Sequence, residues 1–154
     1  MRLPPRLDSD DGFSLAELLI TIVLVSVTFV AILTGLMTAI RVSASHRSQT
    51  TTDAVVRSAA EWVKDISHNP YRTTCNGAGM YSLNGLATPT GYTTKINKVE
   101  YWTGTAPAAT GTYNLAFQSN CPAAGDKGLQ RITIVATSPD GQATETVQVI
   151  KRAI

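Results

Sequence analysis

Apolar positions are distributed very unevenly along this chain. From Leu18 to Ile40 the sequence reads LLITIVLVSVTFVAILTGLMTAI, with no charge between Glu17 and Arg41. A helix needs about 20 apolar residues to cross the core of a bilayer, so this run is long enough to span one. Only a helix satisfies its own backbone in lipid, so a helix is expected despite the many β-branched residues. No breaker follows until Asn69-Pro70. Val55, Ala59, Trp62 and Ile66 fall on one helical stripe with Val63 beside it. Asp53, Arg57, Glu61, Lys64 and Asp65 supply a solvated side. The pattern predicts a near-continuous helix from Phe13 to about Ser67, roughly 80 Å long at 1.5 Å per residue. The polar stretch Ala44 to Thr52 is where it would fray.

After Pro70 the periodicity changes. Tyr71 to Gly91 reads as loop, with a brief strand near Met80 to Leu83. Thr93 to Thr103 (TTKINKVEYWT) and Gly111 to Phe117 read as strands. Leu129 to Thr137 alternates Ile132, Ile134 and Ala136 against Arg131, Thr133 and Val135. Ser138-Pro139-Asp140-Gly141 then makes a turn into a last strand from Gln142 to about Arg152, with Val147 and Val149 on one face. The expectation is an α+β chain in which the long helix packs its apolar stripe, around Trp62, on an antiparallel sheet of three or four strands.

Composition narrows the chemistry. The net charge is +2 and only 16% of residues are charged, with no basic cluster, so nothing argues for a nucleic-acid partner. His46 lies in the polar stretch and His68 at the helix end, where a cation suits the dipole. No metal-ligand spacing, phosphate loop, nucleophile elbow or paired carboxylates occur, so no enzyme, metal or cofactor is expected. Tyr101 and Trp102 point to opposite faces of a strand, which offers one of them as a surface contact. Cys75 and Cys121 are the two cysteines. They can pair if this part of the chain lies outside the cytoplasm, and otherwise remain thiols. Paired, they close a loop worth about 4 kcal/mol in the chain-entropy model.

The residues just before the apolar run carry the most information. They read Asp11-Gly12-Phe13-Ser14-Leu15-Ala16-Glu17. A secretory signal would have a basic head and a shorter apolar region, although Val42-Ser43-Ala44 loosely suits its cut site. A plain single-pass anchor has no use for an acid at the membrane rim, where unpaired charge is costly. A cut between Gly12 and Phe13 would create an ammonium four residues from the Glu17 carboxylate. The pair offsets part of that cost within one chain. Between chains it would favour docking one helix beside another.

Gly12-Phe13-Ser14-Leu15-Ala16-Glu17 with the apolar helix that follows resembles the processing motif of type IV prepilins and the pseudopilins of type II secretion. The resemblance covers about 28 residues. It implies a leader of residues 1–12, cleavage after Gly12 by a membrane-embedded prepilin peptidase, and N-methylation of Phe13. It further implies that Glu17 pairs with a neighbouring subunit's terminus. The implied layout is an assembly helix over 13–40, its extracytoplasmic half over 41–68, and a loop and β domain over 69–154. The implied partners are other pilin subunits, the peptidase and the membrane. Localisation would begin in the inner membrane, N-terminus inside, and end in a filament. The sequence departs from the family at Asp8, Asp10 and Asp11, where many members are basic, and at Thr34-Gly35, where many have proline. The other reading is an uncleaved, membrane-anchored extracytoplasmic binding module.

Overall fold

The computed structural model describes residues 14–104 and 116–153. The chain forms two compact units, Met1–Ser43 and Ala44–Ile154. One helix, α1, is assigned without a break over Leu15–Lys64, including the polar stretch where fraying is expected. Thr50, Thr51 and Thr52 there donate their hydroxyls to the carbonyls of His46, Arg47 and Ser48. Those side chains are thereby satisfied by the helix itself.

In the second unit α1 buries Thr52, Val55, Val56, Ala59, Ala60 and Val63. Their spacing alternates three and four, the true period of a buried helical face. The expected stripe of Val55, Ala59, Trp62 and Ile66 has the same period but is centred to one side of that face, sharing only Val55 and Ala59 with it. Trp62 is only half-buried, and Ile66, 55% exposed, lies past the end of the helix. The small side chains of Ala59 and Ala60 stand at the centre of the contact.

A four-stranded antiparallel sheet completes the unit: β1 (Thr93–Trp102), β2 (Phe117–Gln118), β3 (Leu129–Thr137) and β4 (Thr144–Arg152), in the order β2-β1-β3-β4. Its inner face contributes Val99, Tyr101, Ile132, Ile134, Ala136 and Val149 to one core with the helix, joined by Met80 and Tyr81. The β3–β4 hairpin is as predicted, with Thr137 opposite Thr144 and Leu129 opposite Arg152. Its turn has Pro139 and Asp140 at the central positions, a bond from Gly141 N to Ser138 O, and Gly141 at φ 69°.

Two expectations are corrected. No strand forms at Met80–Leu83; Gly77–Met80 is instead a 3-10 turn. It is held where Tyr101 Oη accepts from Gly77 N and donates to Met80 Sδ. Tyr101 and Trp102 are both buried, so neither is a surface contact. β1 lacks a single alternation because its register slips between Ile96 and Lys98, leaving Asn97 as the extra residue of a bulge. Ile96 before the bulge and Val99 and Tyr101 after it therefore all reach the core. The strand expected at Gly111–Phe117 lies mostly outside the described residues; Phe117 pairs with Trp102.

The helix ends at Lys64, three residues short of Ser67; after a last helical bond to Glu61 O, its remaining carbonyls find other partners. Asp65 N donates to Glu61 O, Asn69 Nδ2 to Trp62 O, and Lys151 Nζ to Val63 O at 2.6 Å and Lys64 O at 3.4 Å. Asn69 is buried, and it also exchanges hydrogen bonds with the backbone of Ser82. Asp65 accepts from the Ser67 N–H and hydroxyl, which turns the chain away and holds the carboxyl below its usual range.

Candidate functional site

Among the described residues of the first unit, nothing packs on the amino-terminal part of α1. Ser14 O accepts from Leu18 N, the first turn of the helix, and Glu17 sits in that turn, exposed. A carboxylate there is favoured by the helix dipole. From Leu15 to Val42 17 large apolar side chains are exposed, Leu15 most of all at 78%. Together they present on the order of 1,500 Å² of apolar surface, several times what soluble monomers usually leave open. This is one helix long and apolar enough to cross a membrane.

Polar groups within it are internally satisfied. Thr21, Ser26, Thr28, Thr34 and Thr38 each donate to the carbonyl four residues earlier, at 2.7–2.9 Å. These are all five hydroxyls of the Leu18–Ile40 run. Each would otherwise have to be desolvated without a partner in lipid. Gly35 has no atom within 4 Å of where a Cβ would stand, so nothing in its own unit requires glycine there.

Gly12 and Phe13, the expected cleavage and methylation positions, lie outside the described residues. Glu17 is placed at the exposed head of the apolar helix.

Cys75 and Cys121 are bonded to each other, with Cα atoms 5.6 Å apart. The bridge ties the loop after α1 to the segment between β2 and β3. A partly buried polar network lies in the same loop region. Tyr71 Oη donates to Asp126 Oδ2, Tyr81 Oη donates to Gln130 Oε1, and Gln130 Nε2 donates to Arg72 O and Asp126 Oδ2. Burial, reinforced by Asp126, pushes the Tyr71 phenol far up; burial pushes Tyr81 up to about 12. Apart from Gln130 and Asp126, four residues apart, the partners in this network are remote in sequence, and no sequence pattern marked it.

The sheet's outer face carries Glu100 between Arg131, directly opposite it at 2.8 Å, and Lys98 at 3.1 Å. Arg131 also lies over the Phe117 ring. The hydrogen bond from Arg131 holds the Glu100 carboxyl below its ordinary range against the opposing effect of burial. An open groove of about 520 Å³ lies at the carboxyl end of α1, lined by Lys64, Ile66, Tyr71, Ile150, Lys151 and Arg152. Among the described residues no three His, Cys, Asp or Glu side chains converge as metal ligands would.

The second unit is thus a disulfide-pinned α+β domain, and the described part of the first is an apolar helix headed by a carboxylate. No family model, no curated protein and no solved structure matches the chain.

Proposed function

We propose that this chain is a structural subunit, a pilin or pseudopilin, of a type IV pilus-like filament. The observation that carries the reading is the juxtaposition at the head of α1. Glu17 stands in the first exposed turn of a membrane-length apolar helix, four residues after the Gly12-Phe13 pair that resembles a prepilin cleavage site. In this reading prepilin peptidase cuts after Gly12 and Phe13 becomes the methylated first residue. The subunit waits in the inner membrane with its β domain outside the cytoplasm. It then enters a filament of like subunits.

The physical argument is one of desolvation. An isolated carboxylate in lipid is expensive, and the new terminal ammonium is equally so. Setting a neighbour's ammonium against Glu17 offsets both costs, while lateral burial of the apolar side chains adds dispersion contacts. The internally bonded hydroxyls let the same helix face lipid before assembly and other helices after it. The disulfide agrees with an oxidising compartment for the β domain. The chain carries no reaction of its own in this account, and its partners are other subunits, the peptidase and the membrane, not nucleic acid.

The experiment is Glu17→Ala in cells that make the filament. The variant is expected to be exported and cut normally yet to give much less filament on shearing. Normal filament yield from it would remove the charge-pairing argument. The second reading, an uncleaved anchored binding module, rests on the membrane-length helix alone and requires neither Gly12 nor Glu17.

A further inference from the structure

Two Asn-Gly pairs stand between α1 and β1, Asn76-Gly77 and Asn84-Gly85. Glycine has no side chain to shield its nitrogen, so that nitrogen can approach the amide of an asparagine before it and displace ammonia. By sequence alone the two pairs are alike. The structure separates them.

At the first pair the nitrogen is committed. Gly77 N donates to Tyr101 Oη at 3.1 Å, and Tyr101 is only 1% exposed. Cys75, one residue before the pair, is bonded to Cys121, and the 3-10 turn Gly77–Met80 follows at once. Swinging this peptide towards the Asn76 side chain would take the N–H from a buried acceptor in a chain held on both sides.

At the second pair the reacting atoms are free. Asn84 and Gly85 are both exposed, at the centre of a turn closed by one bond, Leu86 N to Leu83 O at 3.1 Å. Among the described residues neither the Asn84 side chain nor Gly85 N has a hydrogen-bond partner. Gly85 has φ 88°, and a Cβ there would stand 3.3 Å from the half-buried Trp62 ring, so glycine alone suits the turn. Rotating the peptide until Gly85 N faces Asn84 Cγ breaks that one turn bond, and the glycine absorbs the rotation.

We propose that Asn84 is a site of spontaneous deamidation in the folded protein and that Asn76 is protected from it. Gly85 N attacks Asn84 Cγ, Nδ2 leaves as ammonia with the proton from Gly85 N, and a succinimide ring closes. Water then opens the ring at either carbonyl, to give aspartate or isoaspartate. In net terms one water is consumed and one ammonia released. The new carboxylate stands at an open depression that Lys95 also lines, and the net charge falls by one. In the isoaspartyl product the main chain runs through the former Asn84 Cβ and Cγ, one atom longer, in the turn that lies against Trp62. Nothing in this chemistry uses the filament reading, so the two can fail separately.

The test stores the full chain in detergent in mildly alkaline buffer, and peptide fragmentation in a mass spectrometer assigns each gain of about one mass unit to residue 76 or 84. In the folded chain Asn84 is expected to react about tenfold faster than Asn76, the net contribution of one hydrogen bond converted at about 1.4 kcal/mol per decade. In the reduced chain in denaturant the two rates should become equal. Tyr101→Phe keeps the ring and removes the acceptor. It should raise the Asn76 rate severalfold and leave the Asn84 rate as it was. Asn84→Gln should abolish the change at that position, because the longer side chain closes a larger ring more slowly. Equal rates at the two sites in the folded chain, or a folded chain unmodified at Asn84 while the unfolded chain reacts, would overturn the proposal. An Asn76 rate unmoved by Tyr101→Phe would overturn the protection assigned to Tyr101.

Discussion

Replacing Lys151 by methionine tests how the β domain terminates the long helix. The substitution keeps an unbranched apolar stem and removes the ammonium. Two effects oppose each other. Lys151 is only 6% exposed, and burial lowers its pKa from the ordinary 10.5, so removing the charge relieves a desolvation cost. Against this, its Nζ donates to Val63 O at 2.6 Å. A charge-assisted bond of that kind contributes about 1.5–3 kcal/mol. A cation at a partly buried helix C-terminus contributes up to about 2 kcal/mol through overlapping electrostatics, so the two figures do not add. Val63 is fully buried, so its carbonyl loses its partner with no water to replace it, whereas Lys64 is exposed and its carbonyl can be solvated. The stranded carbonyl decides the sign. Lys151→Met is expected to destabilise the domain by about 1–2 kcal/mol. Denaturant unfolding in detergent, followed by fluorescence, reads this, and hydrogen exchange at the last turn of α1 should quicken in parallel. The native protein should also gain stability as pH rises between the lowered folded value and 10.5, because the unfolded chain holds that proton longer; the variant should lack this gain. A variant as stable as the native chain, with unchanged exchange at Val63 and Lys64, would refute the cap.

Two further outcomes follow from the loop network. The Cys75→Ser/Cys121→Ser double variant is expected to lose about 4 kcal/mol in the chain-entropy model, read as a lower denaturant midpoint under oxidising conditions. Tyr71 and Tyr81 are held neutral in the fold by burial, with Tyr81 pushed up to about 12. The stability they contribute is complete below pH 10 and is lost as pH rises above it, because the unfolded phenols ionise first. Tyr71→Phe should flatten that alkaline loss in a pH series of unfolding curves; an unchanged slope above pH 10 would contradict the assignment.

How legible the fold is in the sequence depends on the range of the interactions concerned. The β3–β4 hairpin follows from strict alternation and a Pro-Asp-Gly turn, and its observed limits differ little from those expected. The apolar run of α1 is equally plain, since no other local structure suits 23 uncharged residues of that composition. The end of the helix is less so. Asn69-Pro70 marks where a helix must stop, but the stop at Lys64 depends on Lys151, 87 residues away. Tyr101 and Trp102 do lie on opposite faces, as expected, but both faces are covered at this end of β1, where Glu100 on the outer face is buried too, and alternation alone does not report that. At the candidate site, Glu17 is legible because an acid at a membrane rim violates composition, and Gly12 and Phe13 through their resemblance to a processing motif. Asp126, Gln130 and the groove at Ile66 and Ile150 exist only through tertiary contacts, which leave no periodic trace.

The central claim concerns the amino terminus of the mature chain, and its intact mass measures that directly. Protein extracted from its native membrane should lack residues 1–12, begin at Phe13 and carry one added methyl group. A mature chain that begins at Met1 would contradict the account and leave an anchored extracytoplasmic domain in its place.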